Sequence, residues 1–403
     1  MEKKKKQRPW LKKRHRFVRA ILAGPLLTFS KWKYGITVER FKEQGKRPYL
    51  VLYNHQTPFD QFFVGMAFSG PVYYLATEDI FSLGWVSSLI RWLVEPIPIK
   101  KQTMDLGAIR NCIQVAKEGG TIALAPEGNR TYSGKTEYMS PAIATLAKKI
   151  GLPIAIYRIE GGYGVEPRWS DTVRKGKMRG YVSKVIEPED YKQMTNDELF
   201  AMIDKELYVD EAVADALFRS NVRAEYLERA VYVCPDCGLS VFESDGNEIE
   251  CQTCHKKVLY GEDKTLTGIG FDFPYSFVAQ WYEYQKAYVN GLDLRTFVDA
   301  PVFEDIVNIS EVIVYKKKRP LYDGVKLCLY GDRVTVGEEE MLFPFDEVSA
   351  MAVLGRNKLN IYYKEKVYQI KGSKRFNALK YVNFYFRYRN ILKGDSDGKF
   401  LGL

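Results

Sequence analysis

Three groups of residues in this sequence have the types and spacing to do chemistry. His55 and Asp60 stand five apart in the run Asn-His-Gln-Thr-Pro-Phe-Asp. Imidazole titrates near neutrality and can take the proton of an attacking hydroxyl, and a carboxylate beside it holds its tautomer and stabilises the cation that forms. Ala125-Pro126-Glu127-Gly128-Asn129-Arg130 follows an apolar run, so a carboxylate and a guanidinium project from a predicted strand end. Cys234-Pro-Asp-Cys237 and Cys251-Gln-Thr-Cys254 are two thiol pairs separated by thirteen residues. Taken alone, the histidine pair is weak, because an Asp five after some His arises by chance about one time in ten at ordinary composition. The bland alternative is a surface histidine and a carboxylate favoured by a helix N-terminus.

The elements that must carry these residues strengthen the case. Apolar runs predict strands over 49–53, 72–76, 97–99, 122–125, 154–157 and 181–185. Helices alternate with them. One is predicted to start at Pro58 with Thr57 as its cap, and another to run over 105–118, with Leu106, Ile109, Ile113 and Ala116 on one face and a Gly119-Gly120 stop. That alternation predicts an α/β domain with a largely parallel sheet, whose chemistry sits in loops at the strands' carboxyl ends. His55, the pair Lys100 and Lys101, and the run from Glu127 to Arg130 each follow a predicted strand. Three strand ends would then gather a base, carboxylates and fixed positive charge, a site for a hydroxyl on a phosphorylated molecule.

These blocks resemble those of the glycerophospholipid (1-acylglycerol-3-phosphate, PlsC-like) acyltransferase family. Its first block, Asn-His-x-x-x-x-Asp, is matched by Asn54, His55 and Asp60; its third, usually Pro-Glu-Gly-Thr-Arg-Ser, by Pro126, Glu127, Gly128, Asn129, Arg130 and Thr131. The fourth, an apolar stretch around a proline, is matched by Leu152, Pro153 and Ile154. The second normally ends in an arginine used on the acceptor phosphate, and Lys101 stands there instead, keeping the charge but losing the bidentate fork. The resemblance covers roughly residues 20–190. It implies an O-acyltransferase in which His55 is the general base and Asp60 orients it, while Lys101, Glu127, Gly128 and Arg130 hold the acceptor. The implied donor is a thioester, acyl-CoA or acyl carrier protein. The implied acceptor is a lysophospholipid, 1-acylglycerol-3-phosphate, giving phosphatidic acid. No acyl-enzyme is needed, and Cys112 sits mid-helix, a poor place for a nucleophile. Gly394-Asp-Ser-Asp-Gly398 imitates the serine-hydrolase elbow, but no strand precedes it and no helix can follow.

The remaining sequence predicts further domains. Asp245-Gly246 between the thiol pairs is a hairpin signal, so Cys234, Cys237, Cys251 and Cys254 read as a zinc ribbon with a closed, structural four-sulfur shell. Thiols in that pattern imply a reducing compartment, and the isolated Cys112 and Cys328 read as buried small hydrophobes. Past residue 187 the chain reads as helical to about 229, opening on a Thr195/Glu198 capping box. Seven short strands over 312–370 and a helix over 376–392 resemble a PH-like or GRAM-like β-barrel closed by a helix. The expected organisation is a membrane-binding arm (1–35), an acyltransferase domain (36–230), the ribbon (231–262), a helical linker (263–305), the PH/GRAM-like domain (306–393) and a flexible tail (394–403).

With 46% hydrophobic and 27% charged residues in 403, the chain has globular composition, which excludes a mostly disordered or collagen-like protein. The net charge of +10 is concentrated: residues 1–19 carry ten Lys or Arg against one Glu. A terminal basic arm followed by the apolar stretch 20–29 suits an anionic membrane surface, and ten residues fall short of the about 20 a span requires. The expected location is cytoplasmic, peripheral on the inner face of the membrane. Two other classes fit the sequence less well. A nucleic-acid-binding zinc ribbon is opposed by Asp236, Glu243, Asp245, Glu248 and Glu250, which would repel phosphates. A catalytically inactive, lipid-sensing membrane adaptor is opposed by the presence of His55, Asp60, Glu127 and Arg130 together.

Deleting residues 1–19 should weaken binding to anionic vesicles, since each basic residue near such a surface contributes about 1 kcal/mol. High salt should mimic the deletion by screening the same charges. Sedimentation with vesicles checks this, and binding indifferent to both would move the membrane contact elsewhere.

Overall fold

The computed structural model describes residues 9–77, 80–99, 106–313, 316–337, 340–394 and 402. The chain forms two units. The first runs to Asn129 and takes up Met139–Glu160 and Lys177–Val209; the second comprises Arg130–Tyr138, Gly161–Gly176 and the chain from Asp210 onward.

Strands covered on both faces read as continuous apolar runs, and the centre of the first unit is built from such runs. In chain order its elements are α1 (Lys13–Tyr34), β1 (Ile36–Val38), β2 (Leu50–Tyr53), α2 (Asp60–Ala67), β3 (Val72–Thr77), α3 (Trp85–Leu93), β4 (Ile97–Ile99), α4 (Leu106–Lys117), β5 (Thr121–Leu124), α5 (Ala142–Ile150) and β6 (Ile154–Glu160). The single turn α6 (Gly162–Val165) belongs to the second unit, and β7 (Met178–Ile186), α7 (Pro188–Lys192) and α8 (Asn196–Leu207) complete the first. The sheet order is β1-β7-β6-β2-β5-β3-β4, and every neighbour pairs in parallel except β6 with β7. All four residues of β2 are buried. The core gathers Leu50, Leu52, Ile122, Ile154 and Ile156 with Ala144 and Ala147 of α5 and Ile203 and Leu207 of α8. The consequence for function lies in register: Leu50 pairs with Ile122 and Leu52 with Leu124, so the loops after β2 and β5 leave the sheet side by side.

In the second unit, β8 (Val233–Cys234), β9 (Gly238–Leu239) and the four-stranded antiparallel sheet β10 (Phe242–Asp245), β11 (Glu248–Cys251), β12 (Lys257–Tyr260) and β13 (Leu266–Gly268) carry the cysteines. Helix α9 (Val278–Asn290) follows. The C-terminal sheet is antiparallel and contains β14 (Phe303–Val312), β15 (Arg319–Leu329), β16 (Arg333–Val336), β17 (Met341–Pro344), β18 (Val348–Leu354), β19 (Lys358–Tyr363) and β20 (Lys366–Gly372), closed by α10 (Leu379–Leu392). Its order is β17-β16-β15-β14-β20-β19-β18. Phe343 on the edge strand β17 meets the rings of Tyr363 and Tyr368 at 5.4 and 5.2 Å, so the sheet curls strongly on itself. One apolar core runs from Val233 and Trp281 through Phe303 to Leu379 and Tyr385.

Several expectations change. Helix α2 begins at Asp60 rather than at Pro58, because Thr57 turns both its N–H and its hydroxyl onto the Asp60 carboxylate. The capping box of Thr195 and Glu198 is present, but helix ends at Leu207 rather than near 229. Beyond Asp210 the backbone pairs elsewhere, Phe218 N–H to Glu262 and Arg219 N–H to Lys175, and Phe218 packs where a Cβ on Gly164 or Gly176 would come within 2.3 Å of it. The first strand of the barrel-like sheet starts at Phe303, nine residues before the expected 312. Its polar positions hide it in sequence; Asp305, for one, accepts from Tyr381 Oη at 2.6 Å and Lys380 Nζ at 2.8 Å. No helix among the described residues is long and apolar enough to cross a membrane.

Candidate functional site

The loop leaving β2 is organised by one carboxylate. Asp60 is fully buried, and its Oδ2 accepts from His55 Nδ1 at 2.8 Å and from the Gln56 N–H at 2.6 Å. Thr57 donates its hydroxyl to Oδ1 at 2.7 Å and its N–H to both oxygens at 3.0 Å. Among the described residues no Lys or Arg pairs with Asp60. As the first residue of α2, the carboxylate also sits where the helix dipole favours negative charge. A carboxylate can only accept, so His55 Nδ1 must carry the proton and Nε2 the lone pair. The imidazole is 23% exposed, and Nε2 has no partner among the described residues. A histidine held in that tautomer presents a base to a hydroxyl.

Neighbouring residues hold the loop in place. Asn54, fully buried at the end of β2, donates from Nδ2 to the Ile159 carbonyl and accepts the Ile159 N–H, both at 2.8 Å, tying the loop to β6. Glu127, leaving the adjacent β5, accepts the His55 N–H on Oε1 at 2.9 Å. His55, Asp60 and Glu127 are thus brought together, and Glu127 has a backbone role that the sequence did not reveal. Gly128 is exposed at φ +67°, its N–H donating to the Ala125 carbonyl at 3.0 Å, a turn that a side chain would strain. Arg130 opens the segment assigned to the second unit, is 7% exposed, and gives its carbonyl to Arg168 Nη1 at 2.8 Å. Lys100 and Lys101 lie outside the described residues, as does most of the Gly394–Gly398 run. The sequence marks Thr57 as a helix cap, and its place three residues before an Asp is the signal for a carboxylate partner.

Cys112 is buried within α4, and burial pushes its thiol up to about 12, as far from a nucleophile as the sequence suggested. The other four predicted cysteines converge. The Sγ atoms of Cys234, Cys237, Cys251 and Cys254 all lie within 4.8 Å of one another and could hold a metal ion. Cys234 and Cys254 Sγ are 3.8 Å apart, and none of the six cysteines forms a disulfide. The hairpin predicted from Asp245-Gly246 is present, with Asp245 opposite Glu248. His255 stands outside the cluster, exposed and paired with Glu250 Oε1 at 2.9 Å.

Residues 35–159 match the family model described as Acyltransferase. The chain is similar to a chloroplastic 1-acyl-sn-glycerol-3-phosphate acyltransferase of Brassica napus, 22% identical over 34% of this chain and 41% of the relative. It is also similar to a 1-acyl-sn-glycerol-3-phosphate acyltransferase of Bacillus subtilis, 20% identical over 34% of this chain and 65% of the relative. The chain thus spans about two fifths to two thirds of the length of these relatives. Among solved structures, the 1-acyl-sn-glycerophosphate acyltransferase PlsC of Thermotoga maritima matches with 22% identity and a TM-score of 0.40, over 49% of this chain and 81% of that one.

The hydroxyl of Thr57 bonds a buried carboxylate, and such charge-assisted bonds contribute about 1.5–3 kcal/mol. Thr57→Val should therefore lower stability by about 2 kcal/mol. Denaturant titration checks it; an unchanged midpoint would mean that Asp60 does not depend on this donor.

Proposed function

We propose that the acyltransferase-family domain carried by residues 35–159 transfers a fatty acyl group from a thioester to the hydroxyl of a lysophospholipid. The observation that carries this reading is His55, held by buried Asp60 in the tautomer that leaves Nε2 basic. As the acceptor oxygen forms its bond to the thioester carbonyl carbon, Nε2 takes the hydroxyl proton. As the carbon–sulfur bond breaks, the imidazolium returns that proton to the departing thiolate. Asp60 stabilises the cation between the two steps without itself being protonated. The donor is acyl-CoA or acyl carrier protein. The acceptor is 1-acylglycerol-3-phosphate, giving phosphatidic acid, a reading supported by the names of the relatives.

In this reading Arg130 grips the acceptor phosphate through its planar fork, with Lys101 adding a point charge and Glu127 and Gly128 shaping the turn. The residues around His55 retain a complete set of donors to Asp60, which favours an enzyme over an inactive adaptor. The protein would act at a membrane, peripheral on the cytoplasmic face, held by the arm of residues 1–35. Zinc fits the cysteine cluster: four thiolates at about 2.3 Å from a tetrahedral ion lie about 3.8 Å from one another, the separation of Cys234 and Cys254. With four sulfurs the shell is closed, so the metal would stabilise the second unit and take no part in acyl transfer. The PH/GRAM-like reading of the C-terminal sheet remains part of this proposal.

Two outcomes are expected. His55→Ala should lower turnover by about two to four decades while the melting temperature holds, and Asp60→Asn should act through tautomer and orientation. Steady-state assays on a panel of lysolipids with both donors check this; near-normal transfer by His55→Ala would overturn the assignment, and no transfer by the wild type to any acceptor would favour the adaptor. Elemental analysis should find one zinc per chain, lost with destabilisation in Cys251→Ser. Freshly purified protein without zinc would overturn the metal reading.

A further inference from the structure

Arg168 is a buried arginine that the proposed chemistry does not use. It lies in the connection between β6 and β7, in the second unit, and is 2% exposed. A guanidinium is only a donor, and burying one is costly unless its N–H groups are satisfied. Here the fork serves three backbone carbonyls: Nη1 bonds Arg130 at 2.8 Å, Nε bonds Gly355 at 2.9 Å and Nη2 bonds Val353 at 3.1 Å. The guanidinium carbon stands 4.3 Å from the centre of the Tyr132 ring, and the Tyr132 hydroxyl donates to the Arg356 carbonyl at 2.7 Å. Val353 is on β18, and Gly355 and Arg356 form the turn between β18 and β19. Arg356 returns the contact through a salt bridge to buried Glu166.

Two residues of the segment that opens with Arg130 are therefore bound to one hairpin of the C-terminal sheet, Arg130 through Arg168 and Tyr132 directly. The segment beyond is closed on itself. Thr131 Oγ1 and Ser133 Oγ both donate to Glu137 Oε1, at 3.3 and 3.0 Å, and the Gly134 N–H donates to Thr131 Oγ1 at 2.9 Å. Arg168 supplies the corresponding restraint at the start of the segment, on the carbonyl of Arg130.

We infer that Arg168 is a positioning residue for Arg130, and that the β18–β19 hairpin, acting through it, fixes the residue that binds the acceptor phosphate. The inference rests on the acceptor-binding role proposed for Arg130. It makes the C-terminal sheet part of the acceptor's specificity rather than an accessory that could be exchanged. The reason is geometric: a guanidinium at the end of a flexible side chain grips a phosphate well only when its backbone is held, and displacements of about 1 Å at a positioned group cost up to two decades in rate.

The test uses the full chain, with acyl-CoA as donor and 1-acylglycerol-3-phosphate as acceptor. Arg168→Lys keeps the charge but offers one nitrogen where three carbonyls need donors. It should raise the acceptor KM about tenfold, leave the donor KM within about twofold, and add nothing further in an Arg130→Ala background. An unchanged acceptor KM, or the full tenfold appearing again in the Arg130→Ala background, would make Arg168 a core residue only and overturn the inference. If Arg168→Lys loses its melting transition, Tyr132→Phe carries the test, since it removes only the hydroxyl bond to the hairpin. It should raise the acceptor KM about threefold, and no rise would overturn the inference. Wild-type protein that transfers to no lysolipid would remove the role of Arg130 and this inference together, whereas normal transfer with unmoved variants would remove this inference alone.

Discussion

Asp60 is a carboxylate without exposed surface, and the donors of His55, Gln56 and Thr57 are what make its burial tolerable. An ionised group in such a place costs several kcal/mol unless its lone pairs are met. That demand sets the rest of the first unit's site. The loop after β2 must curl so that two N–H groups, a hydroxyl and a ring nitrogen point at one side chain, and it can do so only if its own backbone is held from outside. Asn54 holds it from β6 and Glu127 from β5. Those anchors exist because β5, β2 and β6 are parallel neighbours whose carboxyl ends lie together. A pairing that put β2 at the sheet edge would leave the loop with one anchor.

The second unit meets a related problem with arginine. Arg168, Arg174 and Arg229 are among its largest fully buried side chains. Arg229 bonds the Trp169 and Lys374 carbonyls at 2.8 and 2.7 Å and pairs with both oxygens of Asp171, and Arg174 stands 5.0 and 4.9 Å over the rings of Trp169 and Tyr260. Each guanidinium spans segments distant in sequence, and its planar fork fixes direction as well as distance. Removing one would strand several carbonyls at once, so these residues set which segments meet and not merely how strongly.

Local chemistry made much of this legible. The central strands of the first unit, β2, β5 and β6, are runs of largely buried apolar residues. The capping box at Thr195 and the hairpin at Asp245-Gly246 are short-range geometries that neighbouring residues dictate. The four cysteines meet because their spacing within each pair and the hairpin between the pairs leave little other choice. Legibility failed where the partner of a residue lies far along the chain. In the strand from Phe303, Asp305 takes its partners Lys380 and Tyr381 from α10, and the irregular stretch from Asp210 takes hydrogen bonds from Lys175 and Glu262.

The sequence by itself determined which side chains could do chemistry, that His55 and Asp60 stand five residues apart, that two thiol pairs could hold one metal ion, and that strands and helices alternate. All of these follow from spacing of a few residues, where covalent geometry limits the options. Only the tertiary structure decided that Glu127 holds the His55 backbone, that Thr57 serves Asp60 rather than a helix end, and that Arg130 is held by Arg168. Each of those contacts joins groups whose geometry depends on how the intervening chain folds: the turn before α2, the parallel pairing of β2 with β5, and the curl that brings the β18–β19 hairpin to Arg168. A buried donor or acceptor takes its partner from whatever the fold delivers, and no local pattern in the sequence encodes that delivery.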